Sequence, residues 1–210
     1  MADDWFRSPL WTETARTDFE SRLARARARN RAQYLRIKGL ALADAGEIVA
    51  ARALWQRVLT DKGEFAHLES AGALEHLGDS YAREDPIRAE HYYRRLLDEH
   101  PSLNGTTAMQ HVKLAELLIR RRQAGDLQEA ADLLTHWAGE GRVPFPGAHF
   151  RWNVAMMSLA EATGDRPTAR DAARRALDLA GSGPVFSRHK DVGVVRADRH
   201  TMKKLRRIAN

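Results

Sequence analysis

A chain of 210 residues with 43% hydrophobic and 30% charged side chains has a globular composition and enough length to bury a core. It has no cysteine, which excludes disulfides, thiolate nucleophiles, cysteine-held zinc and iron–sulfur clusters. The formal net charge is +6, and only six of the 34 basic residues are Lys, so the excess is one of arginine.

The start, Met1-Ala2-Asp3-Asp4-Trp5, is acidic and lacks the apolar run of a secretory signal. No stretch approaches the roughly 18 apolar residues of a membrane span, so a cytoplasmic chain without membrane contact is expected. Residues 10–29 read as an amphipathic helix with Trp11, Ala15, Phe19, Leu23 and Ala26 on one face. Ser8-Pro9 would cap it. Residues 1–29 are thus expected to form an N-terminal capping segment packed on the first hairpin.

From residue 30 to 180, strong helix formers alternate with turn clusters at Ala45-Gly46-Glu47, Glu84-Asp85-Pro86, Ala124-Gly125-Asp126 and Thr163-Gly164-Asp165-Arg166-Pro167. Each cluster lies between apolar residues spaced i, i+3, i+4, the pattern of a helical hairpin. Four hairpins are predicted, at about 30–62, 70–101, 106–139 and 148–180. Pro86 is read as the first residue of a helix, and Arg120-Arg121-Arg122-Gln123 as an extra helical turn. The best strand candidate, Val192–Val195, is very short. Residues 181–210 are predicted as a loop opening on Gly181-Ser182-Gly183-Pro184, followed by a basic capping helix near 198–209 with Met202, Leu205 and Ile208 apolar.

The hairpins repeat. After each turn come a small residue, a second residue four later and a third three after that: Ala51, Trp55, Val58; Ala89, Tyr93, Leu96; Ala130, Leu134, Trp137; Ala169, Ala173, Ala176. Gly39, Gly78 and Ala115 mark the helix before the turn in the first three units. The second unit also carries Leu74, Leu77, Tyr81 and Pro101. This pattern resembles the tetratricopeptide repeat, a unit of about 34 residues. The resemblance covers roughly residues 30–180 and implies an all-α fold, a right-handed α-α superhelix of three to four tetratricopeptide-like hairpins. The Arg and Ala bias further suggests a GC-rich bacterial source. The marker alanines stand 38, 41 and 39 residues apart, so longer links and an irregular superhelix are expected.

Catalytic motifs are missing. There is no G-x-x-x-x-G-K-[ST], H-E-x-x-H or G-x-S-x-G, so neither enzyme activity nor a cofactor is expected. The nine His are scattered, no two at i, i+4 beside a carboxylate, and no metal site is expected. By resemblance, a protein or peptide partner would lie in a groove lined by first-helix positions. These are Gln33 and Arg36; Glu75, Asp79 and Arg83; Lys113, Glu116 and Arg120; Arg151 and Glu161, with Leu40, Met109, Val154 and Ser158 between them. Their mixed charges suit an extended or helical peptide that carries both signs. The competing occupant is one of the chain's own flanks.

Two basic stretches offer a second surface. Arg22, Arg25, Arg27, Arg29 and Arg31 read as a solvated face beside Glu13, Asp18 and Glu20, or as phosphate contacts. The tail, Arg188, His189, Lys190, Arg196, Lys203, Lys204, Arg206 and Arg207, suits an acidic partner or nucleic acid, although only Phe186 is near for base stacking. Trp5, Phe6 and Trp11 are read either as a staple onto the first hairpin or as a homodimer contact. The function expected from these readings is a non-catalytic protein–protein interaction module. The alternative is a regulatory or defence-type component acting through the basic tail.

Overall fold

A computed structural model describes residues 4–63, 65–140, 145–183 and 194–210. These residues are all-α: ten α-helices and one short 3-10 turn, with no strand among them. Val194 and Val195 are not in a strand, while residues 192 and 193 lie outside the described residues. None of the helices is long and apolar enough to cross a membrane. The chain divides into two units, Met1–Thr107 and Ala108–Asn210.

In the first unit, a 3-10 turn (Trp5–Arg7) and α1 (Glu13–Arg25) precede two hairpins, α2 (Ala28–Asp44) with α3 (Ile48–Thr60) and α4 (His67–Tyr81) with α5 (Pro86–Glu99). Each hairpin packs internally, and α3 and α2 both pack on α4. The small-residue pattern shows why the helices close. A Cβ on Gly39 would collide with the Trp55 indole, and one on Gly78 with the Tyr93 ring. Each glycine is therefore the slot that admits the aromatic residue of the next helix. Trp55 Nε1 donates to the Arg36 carbonyl (3.2 Å), and Tyr93 Oη donates to Asp79 Oδ1 (2.7 Å), so both rings keep their polar ends satisfied. Arg52 is buried between α3 and α4, where it lies over the Tyr81 ring and donates to the Ser80 carbonyl and Glu84.

The N-terminal aromatics are packed against their own chain. Phe6 stacks on Tyr34 with centroids 4.6 Å apart, and Trp5 and Trp11 lie 5.3 and 5.8 Å from Phe19. Lys38 fastens the segment from below: at 1% exposure, its Nζ donates to the carbonyls of Ser8 (2.6 Å) and Leu10 (3.1 Å). Burial pulls its pKa below the usual lysine value. The cap of α1 is Thr12, whose Oγ1 accepts from Ala15 N at 3.3 Å. Ser8 and Pro9 precede the helix by several residues, because Lys38 holds the carbonyls of Ser8 and Leu10 outside it.

The second unit holds α6 (Gln110–Arg121), α7 (Asp126–Glu140), α8 (Pro146–Thr163), α9 (Arg166–Ala180) and α10 (Arg199–Ala209). Helices α6 and α7 pair, α8 and α9 pair, α8 packs on both α6 and α7, and α10 packs on α9. Trp137 Nε1 donates to the Ala108 carbonyl and Trp152 Nε1 to the Leu134 carbonyl, both at 2.9 Å. All twelve residues of the repeated triplets, from Ala51 to Ala176, are buried. The extra helical turn expected at Arg120–Gln123 is absent: α6 ends at Arg121, and Arg122 turns the chain at φ 56°. Asp126 holds this turn, accepting from Gln123 N (2.8 Å) and from the Arg121 guanidinium (2.8 and 2.9 Å).

Candidate functional site

In the first unit, several of the groove positions read from the sequence are occupied by the fold itself. Gln33 and Arg83 are exposed. Arg36 pairs with Glu69 and lies 3.4 Å from His76 Nε2. Asp79 accepts the Tyr93 hydroxyl. Glu75 is only 2% exposed and receives the backbone N–H of Thr107 (2.9 Å) and its hydroxyl. This carboxylate ties the link after α5 onto α4, so burial takes it out of a partner's reach. Lys113, in the second unit, is likewise buried at 5% exposure.

The second unit brings its groove positions together. A cleft of about 520 Å³ is lined by Glu116 and Arg120 of α6, Val154 and Ser158 of α8, and His200 and Lys204 of α10. Val154 gives it apolar surface, beside the buried Ile119 and Met157. The helical spacing explains the lining: 116 and 120 are one turn apart on α6, as are 154 and 158 on α8. Ion pairs hold the walls. Arg151 makes a two-pronged contact with Glu116 (2.8 and 2.6 Å), linking α8 to α6. Lys204 reaches Glu161 at 2.7 Å, linking α10 to α8, and Arg207 lies 4.0 Å from the same carboxylate.

Helix α10, expected from the sequence as a basic capping helix with Met202, Leu205 and Ile208 apolar, also supplies a wall of the cleft. Leu205 and Ala209 are buried against Phe150, Met157 and the alanines of α9, with Met202 and Ile208 beside them. Asp198 starts the helix, its carboxylate accepting from Thr201 N and Oγ1 at 2.8 Å each. These hydrogen bonds, the backbone one first, hold its pKa below the usual aspartate value. Arg174 closes the other end by donating to the Ala209 carbonyl (3.1 Å). Of the tail residues, Lys204 pairs with Glu161, and Arg207, near the same carboxylate, is exposed, as are Arg196, Lys203 and Arg206. Arg188, His189 and Lys190 lie outside the described residues. In the N-terminal basic run, Arg22 pairs with Asp18, and Arg25 and Arg31 donate to backbone carbonyls.

One cluster was not visible in the sequence. The donor atoms of His111, His136 and Glu140 lie within 4.8 Å of one another. His111 is 25 positions away from His136, and only the pairing of α6 with α7 brings the two rings together. No family model, curated protein or solved structure matches the chain.

Proposed function

We propose that the chain is a tetratricopeptide-like helical-repeat protein that acts as a non-catalytic interaction module, binding a peptide segment of a protein partner. The twelve buried triplet residues and the glycine slots for Trp55 and Tyr93 support the repeat reading, a right-handed superhelical stack of hairpins. The cleft between α6, α8 and α10 carries the functional reading. It has apolar surface at its walls, charges of both signs around it, and a volume in the range of ligand sites. A peptide that places an apolar side chain against Val154 and a carboxylate near Arg120 and His200 fits that surface.

Panning a random peptide library against the chain tests the reading. Replacing Arg120→Glu together with Ser158→Trp reverses a charge and fills the cleft. The affinity of enriched peptides should fall at least tenfold while circular dichroism stays unchanged. Undiminished capture by this folded variant overturns the assignment.

A second reading rests on the outer face of α10. Arg199, Lys203 and Arg206 stand at i, i+4, i+7 and are all exposed, forming a cationic stripe beside the face that buries Leu205 and Ala209. This stripe supports contact with nucleic acid through phosphates, as in a regulatory or defence-type component. Gel-shift titration should then show affinity falling steeply with salt. Absence of binding at low salt ends this reading.

A further inference from the structure

We propose that His111, His136 and Glu140 form a binding site for one divalent transition-metal ion of the zinc class, at the open end of the α6–α7 hairpin. His136 and Glu140 are one turn apart on α7, and His136 Nε2 lies 3.4 Å from Glu140 Oε1. Metal–ligand bonds of 2.0–2.2 Å in a tetrahedral arrangement put neighbouring donors about 3.4 Å apart. His111, near the start of α6, supplies the third donor. Its ring centroid is 4.6 Å from that of His136, at an interplanar angle of 48°. All three donor atoms already lie within 4.8 Å, so side-chain rotation brings them onto one ion without moving the helices.

The backbone under these donors is well held. Trp137, next to His136, is buried and hydrogen-bonded to the Ala108 carbonyl just ahead of α6. Val112, next to His111, is fully buried, as is Leu134. The far end of the hairpin is closed by Arg121 and Asp126. Donors on packed helices are the kind of support a metal site needs. His136 is exposed, so an ion enters from solvent.

The donor set selects the ion. Two imidazoles and a carboxylate suit zinc and its transition-metal neighbours, whereas magnesium and calcium prefer all-oxygen shells. Three protein donors leave a fourth position to water. The ion would join the first turn of α6 to the last turn of α7, the end of the hairpin that has no connecting loop.

Titration of the metal-free chain with zinc chloride alone tests the site, read by calorimetry and by imidazole 1H–15N spectra. One ion per chain should bind, and two of the nine His should shift. His111→Ala and His136→Ala should each weaken binding at least tenfold with circular dichroism unchanged, and magnesium should give no heat. If either variant misfolds, Glu140→Gln, which keeps the side-chain shape, should weaken zinc binding measurably. The proposal is overturned by lack of saturable binding at millimolar zinc, by unchanged affinity in the folded variants, or by shifts at His other than His111 and His136.

Discussion

A methyl group added to Gly39 would meet the Trp55 indole, and one added to Gly78 would meet the Tyr93 ring. Neither ring can withdraw easily, because Trp55 Nε1 is bonded to the Arg36 carbonyl and Tyr93 Oη to Asp79. Overpacking of this kind costs about 1–3 kcal/mol. Replacing glycine by alanine within a helix returns up to about 1 kcal/mol. Gly39→Ala and Gly78→Ala should therefore each destabilise the fold by about 1–2 kcal/mol, measured as a lower urea midpoint. These slots were legible in the sequence, since a glycine ahead of each turn and an aromatic residue after it recur at matching positions. Lys38 was not legible. Nothing in its neighbourhood marks it as buried, and its partners are backbone carbonyls of Ser8 and Leu10, some 30 residues upstream. Lys38→Ala should leave those carbonyls unpaired and free the N-terminal aromatics, costing about 1–3 kcal/mol and exposing Trp5 and Trp11 to fluorescence quenchers.

At the scale of elements, helix positions follow apolar periodicity and turn residues, which are local signals. The turn after α6 departs from the sequence reading for an equally physical reason. Arg120 to Gln123 are good helix formers by propensity, but Asp126 offers its carboxylate to the Gln123 N–H and to Arg121, which stabilises a turn instead. Asp165 and Asp198 act in the same way at the starts of α9 and α10, accepting from Thr168 N (3.1 Å) and Thr201 N (2.8 Å). Hydrogen bonds from Thr168 and Thr201 lower both carboxyl pKa values. The unfolded chain then binds protons at higher pH than the native one. Stability from these caps is complete above the usual aspartate pKa and is lost as pH falls through the lowered native values. Acidification should weaken these two caps, seen as loss of amide protection in the first turns of α9 and α10. Asp165→Asn with Asp198→Asn keeps a capping oxygen but does not titrate, and should remove most of that acid dependence.

For the whole molecule, the groove shows where sequence reading stops. The α6 and α8 walls follow from repeat positions, but the α10 wall depends on Leu205 and Ala209 docking onto α8 and α9, with Lys204 then placed opposite Glu161. The pairing of His111 with His136 is hidden for the same reason: the partner comes from another helix. Non-local pairing of this kind also bears on unfolding. Each unit has its own buried residues, Leu42, Leu54, Leu74, Tyr93 and Leu96 in the first and Leu114, Leu118, Leu134 and Met157 in the second. Stacked helical hairpins draw stability from their own packing and from their immediate neighbours. A defect at Gly78 should therefore act on the unit that contains it. Hydrogen exchange read segment by segment, in urea below the main transition, distinguishes the cases. Gly78→Ala should speed exchange in α2 to α5 and leave the core amides of α6 to α9 near their original rates. If exchange accelerates equally in both sets, the two units unfold as one, and the division at Thr107 is one of packing without being one of stability.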